Sequence, residues 1–170
     1  SDRSNGTLSQ GFHKLIKQLL EGNMPRIIMG NGKSQAINKF KKNKLSDLSY
    51  LLIDLDDEEK QKETQLTELD LKDQEDIVFF MIQEMEAWFI SQPKILDQYY
   101  KEKISTKLPK TNPKKIKDPV AILENLTRKT KKGKYHKVRH GTSLLELLNA
   151  GDLKSSFEEF NRMVSEISKG

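Results

Sequence analysis

Two aspartates follow a short apolar run that is typical of a buried strand. The run Tyr50–Ile53 leads directly into Asp54-Leu55-Asp56-Asp57. Residues two apart on a strand point to the same side, so the carboxylates of Asp54 and Asp56 can converge on one hard cation. Mg²⁺ and Mn²⁺ prefer such oxygen ligands. The pattern predicts a divalent-cation site made by Asp54 and Asp56, with Asp57 as a further ligand. The alternative is a strand that ends in an acidic, solvated turn.

A third carboxylate follows the strongest apolar run of the chain. Residues 77–82 (Ile-Val-Phe-Phe-Met-Ile) are typical of a strand buried on both faces, and Met85-Glu86-Ala87-Trp88-Phe89 comes shortly after it. The carboxyl ends of parallel strands share one edge of a sheet, where ligands bind in open α/β folds. Glu86 is therefore a candidate third acidic ligand or general base. The alternative is a first-turn acid that complements the helix dipole. We expect the neighbouring Glu84 to be plain surface.

Positive charge is concentrated in one part of the chain. The net charge is +5, but twelve Lys and Arg residues against two acids between Lys107 and Arg139 carry +10, which leaves −5 for the rest. This basic segment, residues 107–139, lies in the same chain as an acidic site. The combination suits a polyanion such as DNA or RNA, held through its phosphates. A flexible lysine-rich surface loop is the alternative. The residues predicted to contact nucleic acid are Arg128, Lys131, Lys132, Lys134, Tyr135, Lys137, Arg139 and His140.

The elements that must position these residues alternate between strands and helices in the first half. Strands are predicted at 26–29, 50–53 and 77–82, with helices at 8–20, 35–42 and 83–90 between or beside them. Such alternation predicts right-handed βαβ crossovers. Residues 57–76 read as a charged, mobile connection with a short helical turn near 66–69, and helices are predicted at 93–100, 119–130, 142–148 and 157–167.

The predicted fold is therefore a single α/β domain. A mainly parallel sheet flanked by helices occupies residues 1–92, and a helical half with the basic loop occupies residues 93–170. Zero cysteines exclude disulfides, thiolate catalysis and cysteine zinc sites. With no apolar stretch of about 18 residues and no visible signal peptide, we expect no membrane association and a cytoplasmic location. Gly32-Lys33-Ser34 resembles the end of a P-loop, but Ile27 stands where that motif needs a glycine, so a turn and helix cap is the preferred explanation.

Several segments resemble a bacterial family of unknown function that is similar to Toprim domains. The segments are Phe79–Ile90, with its Met-Glu-Ala-Trp-Phe signature, and the run from Leu126 to Asn149 (LTRKTKKGKYHKVRHGTSLLELLN). Toprim domains occur in topoisomerases, primases and overcoming-lysogenisation-type nucleases. The resemblance implies a Toprim-like sheet in which Asp54 and Asp56 are the Asp-x-Asp pair that binds Mg²⁺. The Toprim glutamate follows a first strand that we expect to precede Ser1, and nothing in this chain matches it.

The favoured hypothesis is a metal-dependent nucleic-acid phosphodiesterase. Asp54 and Asp56 would hold Mg²⁺ or Mn²⁺, Asp57 or Glu86 would assist, and the basic segment would grip the backbone without reading sequence. The resemblance also implies, weakly, an ATPase partner in phage defence. The alternative, which the missing glutamate favours, is a catalytically degenerate regulatory or nucleic-acid-binding subunit. The oligomeric state is not predicted.

Overall fold

Two short parallel strands form the only sheet in the part of the chain that the structure describes. This computed structural model describes residues 3–22, 24–43 and 48–170, and side chains from residue 8 onward. It is a mixed α/β structure, 59% helical. Strand β1 (Leu51–Asp54) pairs with β2 (Val78–Met81), and their register sets Leu51 opposite Val78. Both strands and their parallel orientation confirm the prediction, but the sheet is smaller than predicted.

Nine helices surround this sheet in the described residues. They are α1 (Arg3–Lys17), α2 (Lys33–Lys42), α3 (Lys62–Glu68), α4 (Glu86–Ile90), α5 (Pro93–Tyr100), α6 (Pro119–Thr127), α7 (Lys137–Leu147), α8 (Ala150–Ser156) and α9 (Glu158–Ser168). Short 3₁₀ turns span Glu59–Gln61, Lys72–Ile77, Ser105–Lys107 and Pro113–Lys115. Proline at the first position of α5 and α6 explains why both begin where predicted, because proline is pre-organised for that position. Helix α8 was not predicted, and α7 begins five residues earlier than predicted.

The predicted strand at 26–29 is wrong. These residues have no strand pairing within the described part of the chain, and Ile28 is 66% exposed. A short apolar run becomes a strand only where a neighbouring backbone satisfies its N–H and C=O groups. The run itself could not show that such a partner is missing.

The prediction that residues 57–76 form a mobile connection is also wrong. The segment folds into α3 and two 3₁₀ turns, and both Leu66 and Leu71 are fully buried. The Leu71 N–H donates to the Leu66 carbonyl at 2.8 Å, which closes the chain around these two side chains. Two leucines among many charged residues were enough to anchor the segment, because each fully buried leucine stabilises the fold by about 2 kcal/mol.

The core is centred on α4 and draws on both halves of the chain. Trp88 packs edge-on against Phe12 of α1, with ring centroids 6.3 Å apart, and against Phe160 of α9 at 5.4 Å. Helix α1 also packs closely on α7, since a Cβ at Gly11 would lie 3.0 Å from the Leu145 side chain. The helical second half therefore holds the short strands in place.

Helix α9 closes the outer edge of β2 with an ion cluster around the buried Glu159. The Glu159 carboxylate accepts from the Phe80 N–H at 3.4 Å, and Arg162 Nη2 donates to the Val78 carbonyl at 2.6 Å. Arg162 Nε and Lys62 Nζ both reach Glu159 Oε2, at 2.7 and 3.2 Å. An exposed edge strand invites pairing with another chain, and this cluster removes that edge from solvent. Among the described residues, no helix has both the length and the apolarity to cross a membrane.

Candidate functional site

Asp54 is locked to the start of α4 where β1 ends. Its Oδ1 accepts a hydrogen bond from the Met85 N–H at 2.9 Å. Backbone hydrogen bonds between the two segments continue beyond the strands. The Leu55 N–H donates to the Met81 carbonyl at 2.9 Å, and the Asp56 N–H donates to the Gln83 carbonyl at 2.7 Å. The segments that follow β1 and β2 are thus held side by side. This pairing brings the acids at 84–86 next to Asp54, as the shared sheet edge predicted.

The two aspartates of the predicted pair have different surroundings. Asp54 keeps 21% of its side chain exposed and has its Oδ2 3.8 Å from Lys137 Nζ. Asp56 adopts a left-handed backbone with φ of 60°, its side chain is 55% exposed, and its Oδ2 lies 3.0 Å from Lys33 Nζ. The Asp57 Oδ1 accepts from the Glu58 N–H at 2.7 Å, in the manner of a local turn.

Glu86 is a buried carboxylate with one satisfied oxygen. As the first residue of α4 it is 1% exposed, and its Oε1 accepts from the Tyr135 hydroxyl at 2.8 Å. Its Oε2 is buried with no hydrogen-bond partner in the described structure. A buried polar atom without a partner is rare and costly in a native protein, so Glu86 differs from an ordinary structural carboxylate.

Burial and mutual repulsion shift the pKa values of two of these acids. Burial raises the pKa of Asp54 to about 6; nearby Lys137 opposes the shift, and the charge of Glu86 adds to it. Burial likewise raises the pKa of Glu84 to about 7, and the charges of Glu86 and Asp54 add to that shift. Asp54, Glu84 and Glu86 therefore form one acidic cluster. Glu84 is half-buried, so the prediction that it is plain surface is wrong.

The basic segment contacts the acidic cluster directly. Tyr135 bonds Glu86, and Lys137, the first residue of α7, lies beside Asp54. Tyr135 is 2% exposed and His140 is 3% exposed, and the His140 Nδ1 accepts from the His136 N–H at 2.9 Å. Burial leaves neither ring a free face on which a base could stack. The exposed candidates for phosphate contact are Arg128, Lys131, Lys132, Lys134, Lys137 and Arg139.

Thr127 holds the backbone of Tyr135 in place. Its buried hydroxyl accepts from the Tyr135 N–H and donates to the Leu123 carbonyl, each at 2.7 Å. We expect Thr127→Val to lower the free energy of unfolding by about 1–3 kcal/mol, because a buried N–H would lose its only acceptor. Urea denaturation measures the change. Thr106→Val, at an exposed site, is the control and should stay within about 0.5 kcal/mol of the unmodified chain. Equal losses in both variants would contradict this role for Thr127.

A cleft beside the acidic cluster combines both signs of charge. Its volume is about 290 Å³, and it lies between α4, α6 and the start of α7. Its walls are formed by Glu84, Glu86, Val120, Glu124, Lys134, Tyr135, His136 and Lys137. Carboxylates and ammonium groups thus face one small space next to Asp54.

The sequence of this chain matches a known protein-family model. Residues 6–168 match the family described as Domain of unknown function (DUF4276). The chain belongs to this family. The match confirms the predicted membership of a family of unknown function, and it covers both the acidic cluster and the basic segment of the DUF4276 chain. No curated protein and no solved structure matches the chain.

The magnesium site that the sequence predicts in this DUF4276 chain stays a prediction. The described residues contain no group of three or more histidine, aspartate or glutamate side chains arranged to hold a metal. Mg²⁺, however, commonly takes one or two protein carboxylates and completes its shell with water and substrate phosphate. Asp54 and Asp56 are the two candidate ligands, although β1 ends at Asp54 and Asp56 has a left-handed backbone, so strand alternation does not direct their side chains to the same side. Each has an ammonium group nearby, Lys137 or Lys33, which offsets its charge when no cation is bound.

Three contributors to the site do not follow from the sequence. The sequence predicts Glu84 as surface, gives Glu124 no role beyond its charge, and assigns Lys33 to a turn and helix cap. Lys33 instead reaches Asp56, 23 residues away, from a helix that starts after Gly32 at φ of 91°. The glycine-rich turn at residues 30–32 is the sequence feature that could have indicated a lysine near the end of β1. Nothing local in the sequence marks Glu124.

Proposed function

We propose that this chain acts in metal-dependent cleavage of nucleic-acid phosphodiester bonds. One observation carries the proposal: the acidic cluster and the basic segment touch, through Tyr135 Oη to Glu86 Oε1 at 2.8 Å and Lys137 Nζ to Asp54 Oδ2 at 3.8 Å. Phosphodiester cleavage needs anions that hold a cation and cations that hold the phosphate, within reach of one another. Two parallel strands with acids at their carboxyl edge also support the Toprim-like fold that belongs to this proposal.

The residues take distinct roles in the proposed reaction. Asp54 and Asp56 hold Mg²⁺ or Mn²⁺, which when bound polarises a phosphoryl oxygen and lowers the pKa of water. Lys137 binds the phosphate. The raised pKa of Glu84, about 7, suits a carboxyl that transfers a proton near neutral pH. Glu86 acts on the site through its charge, since it raises the pKa of both Asp54 and Glu84.

The exposed cations of residues 128–139 bind the nucleic-acid backbone. Contacts of Lys and Arg with phosphate position a strand but carry no sequence information, so both DNA and RNA remain candidate substrates. The cytoplasmic location that the sequence predicts belongs to the same proposal. The resemblance described above adds an ATPase partner, acting with this chain in phage defence, as part of the proposal.

Cleavage assays with and without metal test the proposed activity. The purified chain is incubated with supercoiled plasmid, single-stranded DNA and RNA in Mg²⁺ or Mn²⁺, and in parallel with EDTA. We expect cleavage only with metal, and a loss of about a hundredfold or more in Asp56→Ala, because one ligand of the cation is removed. Gel-shift binding should persist. The control is Asp73→Ala, at an exposed residue of the Lys72–Ile77 turn. Cleavage that survives EDTA, or Asp56→Ala with full activity, would exclude the proposal.

A second candidate is a catalytically degenerate regulatory subunit. It is favoured by the lysines that lie beside both aspartates and by the lack of a three-ligand group in the described residues. This candidate predicts no turnover of any nucleic acid with either metal, together with co-purification and altered turnover of an ATPase. Metal-dependent cleavage by the chain alone would rule it out.

A further inference from the structure

We infer that the cleft beside the acidic cluster binds one nucleotide unit and selects bases that carry an exocyclic amino group. The inference rests on the proposed function and names the substrate feature that the site selects. The recognising groups are the carboxylates of Glu86 and Glu124, with Lys134 and Lys137 binding the phosphate of the same unit.

The charges in the cleft require a ligand with a negatively charged end and a hydrogen-bond-donating end. Glu86 and Glu124 line the cleft together with Lys134 and Lys137, which are exposed. A phosphate placed against the carboxylates would be repelled, whereas an N–H donor there is attracted. A free amine leaves the lysines unused, and inorganic phosphate leaves the carboxylates unused. A nucleotide with an amino-bearing base satisfies both.

The Glu86 carboxylate favours an N–H donor in the cleft. The residue is 1% exposed, the Tyr135 hydroxyl fixes Oε1 at 2.8 Å, and Oε2 has no partner among the residues that the structure describes. Tyr135 lines the same cleft. Because Oε2 is enclosed, Glu86 attracts an amino group in the cleft through its charge, and the partly exposed Glu124 accepts the hydrogen bond, as carboxylates do from cytosine N4 on DNA.

The cleft is sized for a single unit. Its volume of about 290 Å³ lies at the small end of ligand sites. Val120 provides an apolar surface beside the two carboxylates, as a base requires for its ring. Neighbouring nucleotides would then lie outside the cleft, along the exposed cations of the basic segment.

Cytidine and uridine monophosphates provide a matched pair of probes, because cytosine has an amino group where uracil has an oxygen. The full chain is titrated with each nucleotide in EDTA, with calorimetry or NMR as the readout. We expect CMP to bind about fivefold to a hundredfold more tightly than UMP, the range of one good base contact. AMP and GMP should resemble CMP. Equal affinity for CMP and UMP would overturn the inference.

Two variants assign the selectivity to its carboxylates. Glu124→Gln should bring CMP and UMP to within about twofold of each other, as should Glu86→Gln, with thermal melting to verify that both variants fold. Glu146→Gln, at a carboxylate of α7 that pairs with Lys14, is the control and should keep the full difference. Selectivity that persists in both cleft variants would overturn the inference. So would a competition experiment in which spermidine displaces labelled CMP as effectively as unlabelled CMP does. The titration uses neither metal nor turnover, so it fails or succeeds independently of the cleavage assay.

Discussion

We expect replacement of Asp54 by Asn to abolish metal-dependent cleavage and at the same time to stabilise the metal-free protein. The activity should fall by about a hundredfold or more, because the substitution removes a negative ligand of the proposed cation. The local structure should survive. Asn retains an oxygen that can accept from the Met85 N–H, the 2.9 Å bond that ties β1 to α4.

The gain in stability follows from the raised pKa of Asp54. Burial raises this pKa from 3.8 to about 6, so the folded state holds its proton more tightly than the unfolded state does. The stabilisation due to the protonated form is complete below pH 4 and is lost as the pH rises through about 6. Above pH 7 the ionised Asp54 therefore costs the metal-free fold about 2–3 kcal/mol, and Asn removes that cost.

Urea denaturation in EDTA at pH 5 and pH 8 measures this effect. Asp54→Asn should be more stable than the unmodified chain at pH 8, and the difference should shrink toward pH 4. Asp73→Asn, at an exposed aspartate, should show neither the gain nor the loss of cleavage. An Asp54→Asn variant that is less stable at pH 8, or that cleaves normally, would contradict the assignment of Asp54 as a functional group held at the expense of stability.

Removal of the Glu159 carboxylate should destabilise the fold more than any other change described here. Glu159 keeps only 4% of its side chain exposed and is the common partner of Arg162, Lys62 and the Phe80 N–H. Its removal leaves both cations without their anion, but Lys62 and Arg162 keep 25% and 29% of their side chains exposed, so we expect a cost of about 2–4 kcal/mol. For a chain of this size, that loss lowers Tm by about 10 °C.

Glu158→Ala provides a matched control for Glu159→Ala. Both glutamates lie in the first turn of α9, so both favour its dipole equally, but Glu158 is exposed. We expect Glu158→Ala to cost less than about 1 kcal/mol in calorimetric or urea unfolding. Similar losses in the two variants would show that the edge of β2 is held by helix packing alone. A selective loss in Glu159→Ala would also expose that edge, and concentration-dependent association should follow.

Stability and the proposed chemistry thus depend on different acids, one at the outer edge of β2 and the others beyond the carboxyl ends of the two strands. Glu159 is compensated by two cations and a backbone N–H, whereas the Glu86 carboxylate has one donor and one free oxygen. A fully compensated carboxylate has no capacity left for a ligand. An incompletely compensated one retains it, and this contrast separates the structural acid from the candidate functional acid.

The sequence by itself determined the two strands and most of the helices. Uninterrupted apolar residues at 51–53 and 78–81 predicted buried strands of a covered sheet, and prolines predicted the starts of α5 and α6. The candidate acids Asp54 and Glu86 also followed from the sequence, because the position of a residue just after a strand is a local property. The shared edge of parallel strands then predicted that they would meet.

Only the tertiary structure decided what surrounds those acids. Tyr135 and Glu86 are 49 residues apart, and no local pattern shows that a tyrosine from a lysine-rich run is buried against that carboxylate. The same holds for Lys137 beside Asp54, and for Glu84, whose pKa is raised by burial and by neighbours from other segments. Periodicity reports which face of an element is buried, but the partner on that face depends on how the elements pack. Burial, pKa and ligand capacity are set by that packing.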